Sequence, residues 1–253
     1  MKSEKYKGEI NFSTGSNTAR SSSNFYALNN GIATLFEIRG VGIGKTSFKR
    51  RINSGLAVAL SFLKTSYINS NFILSQIELA NNFSEEIILE HQRTVSKEII
   101  KAIDIESNEL MDLEVVMHSS KKSIPKIKRD RPSAYIIKKN NFKIVEKLKN
   151  MGVDMVQLQN DTIINSGSYR VIDFKNNFKI YEKMKMQKVK TEISYAFNNF
   201  AKGDILITMN QKKSNLIAEV LEPEAPNSYV TVSYTHLRAH ETLRYLVCRL
   251  LLE

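Results

Sequence analysis

The 253-residue chain contains one cysteine, Cys248, and four histidines. A single thiol excludes a disulfide framework and leaves the redox compartment open. No run of about 18 apolar residues occurs, so no membrane-spanning helix is expected. The opening residues, MKSEKYKGEI, lack the apolar stretch of a secretory signal. No internal repeat is evident.

The last 22 residues, from Val232 to Glu253, read VSYTHLRAHETLRYLVCRLLLE. Back-translated, they resemble two blocks of a common library-preparation adapter in one frame. Residues 232–253 are therefore expected to be adapter-derived and are set aside from fold reasoning. With them go Cys248, His236 and His240, leaving His91 and His118. The formal net charge of +11 falls by one, because the tail carries Arg238, Arg244 and Arg249 against Glu241 and Glu253.

The positive charge invites a nucleic-acid reading. It is, however, scattered among many Asn and Ile residues. The densest basic run, Lys121 to Pro132 (KKSIPKIKRDRP), reads as a solvated connector. No nucleic-acid partner is expected.

Residues Ile10 to Asn24 are rich in Ser, Thr, Gly and Asn and read as a loop. GIATLFEIRG (31–40) reads as a buried strand. From Ser47 a helical period follows, with Phe48, Ile52, Leu56, Leu60 and Leu63 on one face and Arg50 and Arg51 on the exposed side. A second helical region is expected from Asn71 to Ile105, and LEVVMHS near Val115 as a strand. After Ser133 the pattern alternates. AYIIKK, VDMVQLQ, SYRVIDFK, TEISYAF and ILITM read as strands. Asn141–Met151 and SNLIAEVL read as helices, the first ended by Gly152. LEPEAPNS reads as an exit loop, and Asp204 and Glu222 as turn and surface positions.

Gly44-Lys45-Thr46 resembles the end of a phosphate-binding loop, but that loop requires a glycine at position 39, which is arginine. The loop's length is set by the amides that wrap the phosphate. The segment therefore reads as a strand-to-helix connection.

Glu37 is more informative. Strand alternation places Leu35, Glu37 and Arg39 on one face and Phe36 and Ile38 on the other. A carboxylate within an apolar strand needs a partner. Two readings follow: a structural pair with Arg39, or a general base at the mouth of an α/β sheet.

The stretch Ser13–Thr65 resembles the C-terminal part of the catalytic domain of carboxypeptidase A-like zinc metallocarboxypeptidases, in a bacterial branch. FAKGDILITMNQKKSNLIAEVLEPEAPNSYV (200–230) resembles the accessory region that follows in that branch. The resemblance implies an α/β fold class: the C-terminal part of a carboxypeptidase-type sheet domain (1–69), a helical extension (70–110) and a small α/β accessory region (111–231). It maps the family's catalytic base onto Glu37, with Arg39 as orienting partner. It places Arg20 and Asn24 in a loop near the substrate pocket. It implies zinc in the full-length parent, where the metal polarises the scissile carbonyl and acidifies its water. The substrate would be a peptide or cell-wall peptide, and the parent periplasmic or secreted. The chain departs from the family at the metal. Neither His91 nor His118 begins a His-x-x-Glu motif, and both follow Glu37, whereas the family's ligands precede it. No zinc or activity is expected of this chain alone. The alternatives are a non-enzymatic binding module and a basic nucleic-acid-binding protein.

Overall fold

The computed structural model describes residues 9–15, 18–38, 45–81, 86–175, 180–181, 184–232 and 247–250. It is a mixed α/β architecture. The elements run β1 (Asn11–Thr14), α1 (Ser22–Leu28), α2 (Lys45–Ile68), α3 (Ser70–Asn81), β2 (Glu86–Ile103), β3 (Leu110–Asp130), β4 (Ala134–Ile137), α4 (Phe142–Asn150), β5 (Val156–Gln157), β6 (Thr162–Lys175), β7 (Ile180–Tyr181), β8 (Met184–Lys185), β9 (Lys188–Phe200), β10 (Ile205–Thr208), α5 (Ser214–Leu221) and β11 (Val247–Leu250).

The core lies in the second half. Six strands are ordered β5-β10-β4-β11-β6-β9. β4 is buried on both faces. Its Tyr135 and Ile137 join one cluster with Val171 of β6, Ile144 and Leu148 of α4, and Leu216 and Ile217 of α5. Ile136 points the other way, onto Phe200 and Cys248. This period-2 alternation is what a strand between two apolar layers requires. Each fully buried aliphatic side chain here contributes about 1.5–3 kcal/mol. Gly152 follows α4 at φ +71°, the left-handed conformation that ends the helix without a Cβ penalty.

A long ribbon precedes this sheet. β2 and β3 pair antiparallel from Glu86↔Asp130 to Ile103↔Leu110, and β1 adds in parallel beside Val116–Ser119. Ile87 and Leu89 of β2 reach into the main core. Two expectations are corrected here. Residues 86–103 are a strand rather than part of a helical extension, so the 70–110 unit is helical only through α3. Ile87, Ile88, Val95, Ile99 and Ile100 match helical spacing, but their β-branched side chains also favour strands, and the β3 partner decides the outcome. Lys121–Asp130 is likewise β3 rather than a connector. Its lysines pair across the ribbon, Lys126 with Glu90 at 2.8 Å and Lys128 with Glu86 at 2.7 Å. Pro125 sits where the register is irregular, which is where a strand tolerates a missing N–H.

The expected strand at 31–40 also differs. Residues 31–38 have no regular secondary structure, and Arg39 and Gly40–Gly44 lie outside the described residues. A strand needs a neighbour for its main-chain hydrogen bonds, and no described strand pairs with this segment. The segment instead lies along α2: Phe36 meets Phe62 edge-on, with ring centroids 5.7 Å apart. Helix α2 forms where the period indicates, yet its stripe is turned outward. Phe48, Ile52, Leu56, Leu60 and Leu63 are all exposed, while Arg51 is partly buried with its Nε unpaired.

VDMVQLQ contributes only the two-residue β5, and the loop expected over Ile10–Asn24 contains β1 and the start of α1. Asp204 and Glu222 are not surface positions: they are 1% and 0% exposed. Within the adapter-like tail, β11 joins the sheet through its main chain, as a strand of almost any sequence can. Its Arg249 is buried with Nε unpaired.

Candidate functional site

Helix α1 is short and apolar on one side, with Phe25 and Leu28 packed against the core that contains α5. The turn before it carries Arg20, whose Nε donates to Asn227 Oδ1 at 3.0 Å. Asn24 Nδ2 donates to the Thr18 carbonyl at 3.0 Å, tying the first turn of α1 to that loop. Asn227 in turn donates through Nδ2 to Glu219 Oε1 at 2.7 Å, and its backbone N–H reaches the same oxygen at 3.2 Å. Arg20, Asn227 and Glu219 thus form a relay from the loop to α5.

The relay borders a cavity of about 850 Å³. Thr18, Asn24 and Leu28 form one wall, Ile88, Glu90 and His91 of β2 another, and Lys121 and Pro125 of β3 a third. Glu219 and Asn227 close it. The size falls in the range of small-molecule and peptide sites. Two carboxylates differ in character there. Burial raises the pKa of Glu219, which the two Asn227 hydrogen bonds only partly offset. Burial also pushes Glu90 upward, but Lys126 and Lys188 outweigh it and hold the carboxyl below its ordinary range. The two carboxyls are thus shifted in opposite directions within one cavity lining.

Of the four residues singled out from sequence, Asn24 lines this cavity, and Arg20 reaches it only through its hydrogen bond to Asn227. The structure does not bring Glu37 there: Glu37 is exposed and is not among the lining residues. Phe36 contacts Phe62 of α2 and Ile38 approaches Gly55, but Leu35, Phe36 and Glu37 are all exposed, so the expected two-faced alternation is not seen. Arg39 lies outside the described residues. His91 lines the cavity, and His118 Nε2 lies 3.0 Å from Asn11 Oδ1.

A second polar cluster went unseen in the sequence. Glu222 Oε1 accepts from Tyr135 Oη at 2.5 Å and from Tyr169 Oη at 2.7 Å. Arg129 Nε lies 3.6 Å from Oε2, and Arg249 Nη1 lies 3.9 Å from Oε1. Burial, then the Glu222 carboxylate, pushes both phenols well above their ordinary range, so they act as donors and do not ionise. One signal pointed here. Residues 216–221 (LIAEVL) are apolar apart from Glu219, and a carboxylate ending a buried helix must find partners.

The described residues do not fit a zinc site. Among the described residues no group of three or more His, Cys, Asp or Glu side chains is placed to hold a metal ion. Among them, no helix is long and apolar enough to cross a membrane.

The chain is similar to fungal carboxypeptidases. It is 26% identical over 212 residues to carboxypeptidase 2 of Trichophyton rubrum, covering 82% of this chain and 39% of that protein. Carboxypeptidase 2 of Trichophyton tonsurans is 24% identical over the same coverage. A probable carboxypeptidase 2 of Arthroderma benhamiae is 26% identical over 79% of this chain and 39% of its own length. The chain thus spans about two fifths of the relatives it matches. No family model and no solved structure matches it.

Proposed function

We propose that this chain is part of a longer zinc metallocarboxypeptidase, of the bacterial branch with an accessory region, and that Glu37 is the base of its active site. The similarity to carboxypeptidase 2 proteins across four fifths of the chain carries this reading. The outward-facing apolar stripe of α2 supports it, because a 24-residue helix does not ordinarily leave five large apolar side chains in water. So does the segment 31–38, whose Glu37 face is bare. In the complete protein another layer covers this surface, and Glu37 takes a proton from the attacking water and returns it to the leaving amine. Arg39 orients it. The zinc ligands belong to the remainder of the protein: neither His91 nor His118 begins a His-x-x-Glu motif, and among the described residues no metal-holding group gathers. The substrate is the C-terminus of a peptide or cell-wall peptide, and the protein is periplasmic or secreted.

Recovering the natural gene on both sides of this stretch tests the reading. A His-x-x-Glu motif in frame before Ser13, with one zinc per purified protein, is the expected result. A natural gene without that motif would overturn it.

The cavity of about 850 Å³ favours a second reading, that the chain is a non-enzymatic binding module with Glu37 purely structural. The two separate on one comparison. A truncated Asn227 side chain weakens peptide binding in the binding module, and leaves hydrolysis by the longer protein unaffected if Glu37 carries the chemistry.

A further inference from the structure

Glu219 and Glu90 line the same cavity of about 850 Å³, but their charges are met differently. Glu90 is answered twice, by Lys126 Nζ at 2.8 Å and by Lys188 Nζ at 3.6 Å. The donors to Glu219 are both on Asn227, the side-chain amide at 2.7 Å and the backbone N–H at 3.2 Å, and both reach Oε1. Among the described residues no Lys, Arg or His pairs with Glu219, and no hydrogen bond reaches its Oε2. A carboxylate withdrawn from water without a counter-charge is costly, and a ligand that brings the cation removes the cost.

The β3 wall of the cavity is shaped by a bulge. Between the pairs Gln92↔Ile124 and Thr94↔Ser119, Arg93 alone stands across from Ser120 to Ser123. A bulge of this kind re-aims the side chains it carries. It is pinned to β1: the Ser120 N–H donates to Thr14 Oγ1 at 2.9 Å, and Ser120 Oγ donates to the Thr14 carbonyl at 2.5 Å. Arg93 Nη2 donates to the Gly15 carbonyl at 2.7 Å. Lys121, on the bulge, is exposed, so solvent screens its charge. Ala27, Leu28, Ile88, Pro125 and Pro226 give the rest of the lining an apolar character.

We infer that this cavity binds an organic ammonium, its charged nitrogen at Glu219 and its carbon skeleton against the apolar lining. Glu90 keeps its lysines and takes no part. The same chemistry is carried by a free alkylamine, a lysine side chain and a peptide N-terminus. The inference rests on the second reading above, in that the cavity is a ligand site, and does not depend on Glu37. Every residue it uses precedes the adapter-like tail.

Titration calorimetry of the intact chain with hexylamine, against hexanol as its neutral counterpart, tests it. Hexylamine should bind at least about tenfold more tightly than hexanol, as a hydrogen bond to a charged group implies. Glu219→Gln should remove that preference. Ala27→Trp, at an exposed position of α1 that lines the cavity, should weaken hexylamine binding without unfolding the chain, and serves if the Glu219→Gln chain does not fold. Two peptides, acetyl-Ala-Lys-Ala-amide and Leu-Ala-Ala-amide, identify the source: tighter binding of the first points to a lysine side chain, of the second to a peptide N-terminus, and of hexylamine over both to a free amine. Equal affinity for hexylamine and hexanol, both weakened by Ala27→Trp, would overturn the ammonium assignment and leave the cavity a binding site. Binding of none of the four compounds would overturn both. A preference for hexylamine that survives Glu219→Gln would overturn the role of Glu219.

Discussion

The Glu222 carboxylate accepts the Tyr135 hydroxyl at 2.5 Å at a point where neither side chain reaches solvent. The contact joins the end of α5 to the central strand β4. Arg129 brings the end of β3 to the same carboxylate. Substituting Glu222 by Ala removes the carboxylate near Arg249 and the acceptor of both phenols, while Arg129 keeps Glu224 at 2.6 Å. We expect a loss of about 1–3 kcal/mol or more, read from urea unfolding. Tyr135→Phe removes one of two hydroxyl donors and should cost about 1–3 kcal/mol.

Asp204 gives a pH signature. Burial raises its carboxyl, but the Lys139 amide, the Lys138 ammonium and the Ala201 amide outweigh burial and hold it below its ordinary value of 3.8. A depressed folded value means that the ionised form stabilises the fold. That stability is complete above the ordinary value and drains away as pH falls through the folded one. Thermal unfolding followed from pH 7 down to about 2 should show this acid loss. Asp204→Asn should flatten it and lower stability near neutrality.

The core and α2 should respond differently to the same truncation. Leu148 is fully buried in the main cluster, whereas Leu60 is exposed on α2. Leu148→Ala should cost about 2–5 kcal/mol by cavity formation. Leu60→Ala should stay within about 0.5 kcal/mol in this chain. In the longer protein proposed above, with the stripe covered, Leu60→Ala should cost several times as much. Equal small effects in both would argue against a covering layer.

The elements with the clearest periodicity were legible. The alternation of Tyr135, Ile136 and Ile137, and the amphipathic spacing of Ile144 and Leu148 before Gly152, led directly to β4 and α4. Residues 86–103 were misread because their isoleucines satisfy two periods at once. Only the partner β3, whose Lys126 and Lys128 pair with Glu90 and Glu86, resolves the choice, and it lies far along the chain. Asp204 and Glu222 were misread for a related reason. Their neighbours, Gly203 and Pro223, signal turns, and a turn is ordinarily exposed, but here each turn is folded beneath a helix or strand. Of the site, the sequence singles out the loop that carries Asn24, whereas the closure of the cavity by Glu219 and Asn227 requires the tertiary fold. The buried strand expected around Glu37 has no pairing neighbour here, and Glu37 and Phe36 are both exposed.

Arg20 offers a local check. Its guanidinium reaches Asn227, which in turn holds Glu219. Asn227→Ala removes the side-chain hydrogen bond that lowers the Glu219 pKa and keeps the backbone one, so that carboxyl should titrate higher. Carboxyl NMR of the Glu219 side chain reads the shift; no change would show that Asn227 does not reach it in solution.

The account rests most heavily on Glu37 as a base. The direct measurement is release of C-terminal residues by the natural, longer protein with Glu37 or with Glu37→Gln, at matched zinc content. We predict a fall in kcat of about 10²–10⁴ with KM little changed. A Glu37→Gln protein that retains the parent's kcat would contradict it.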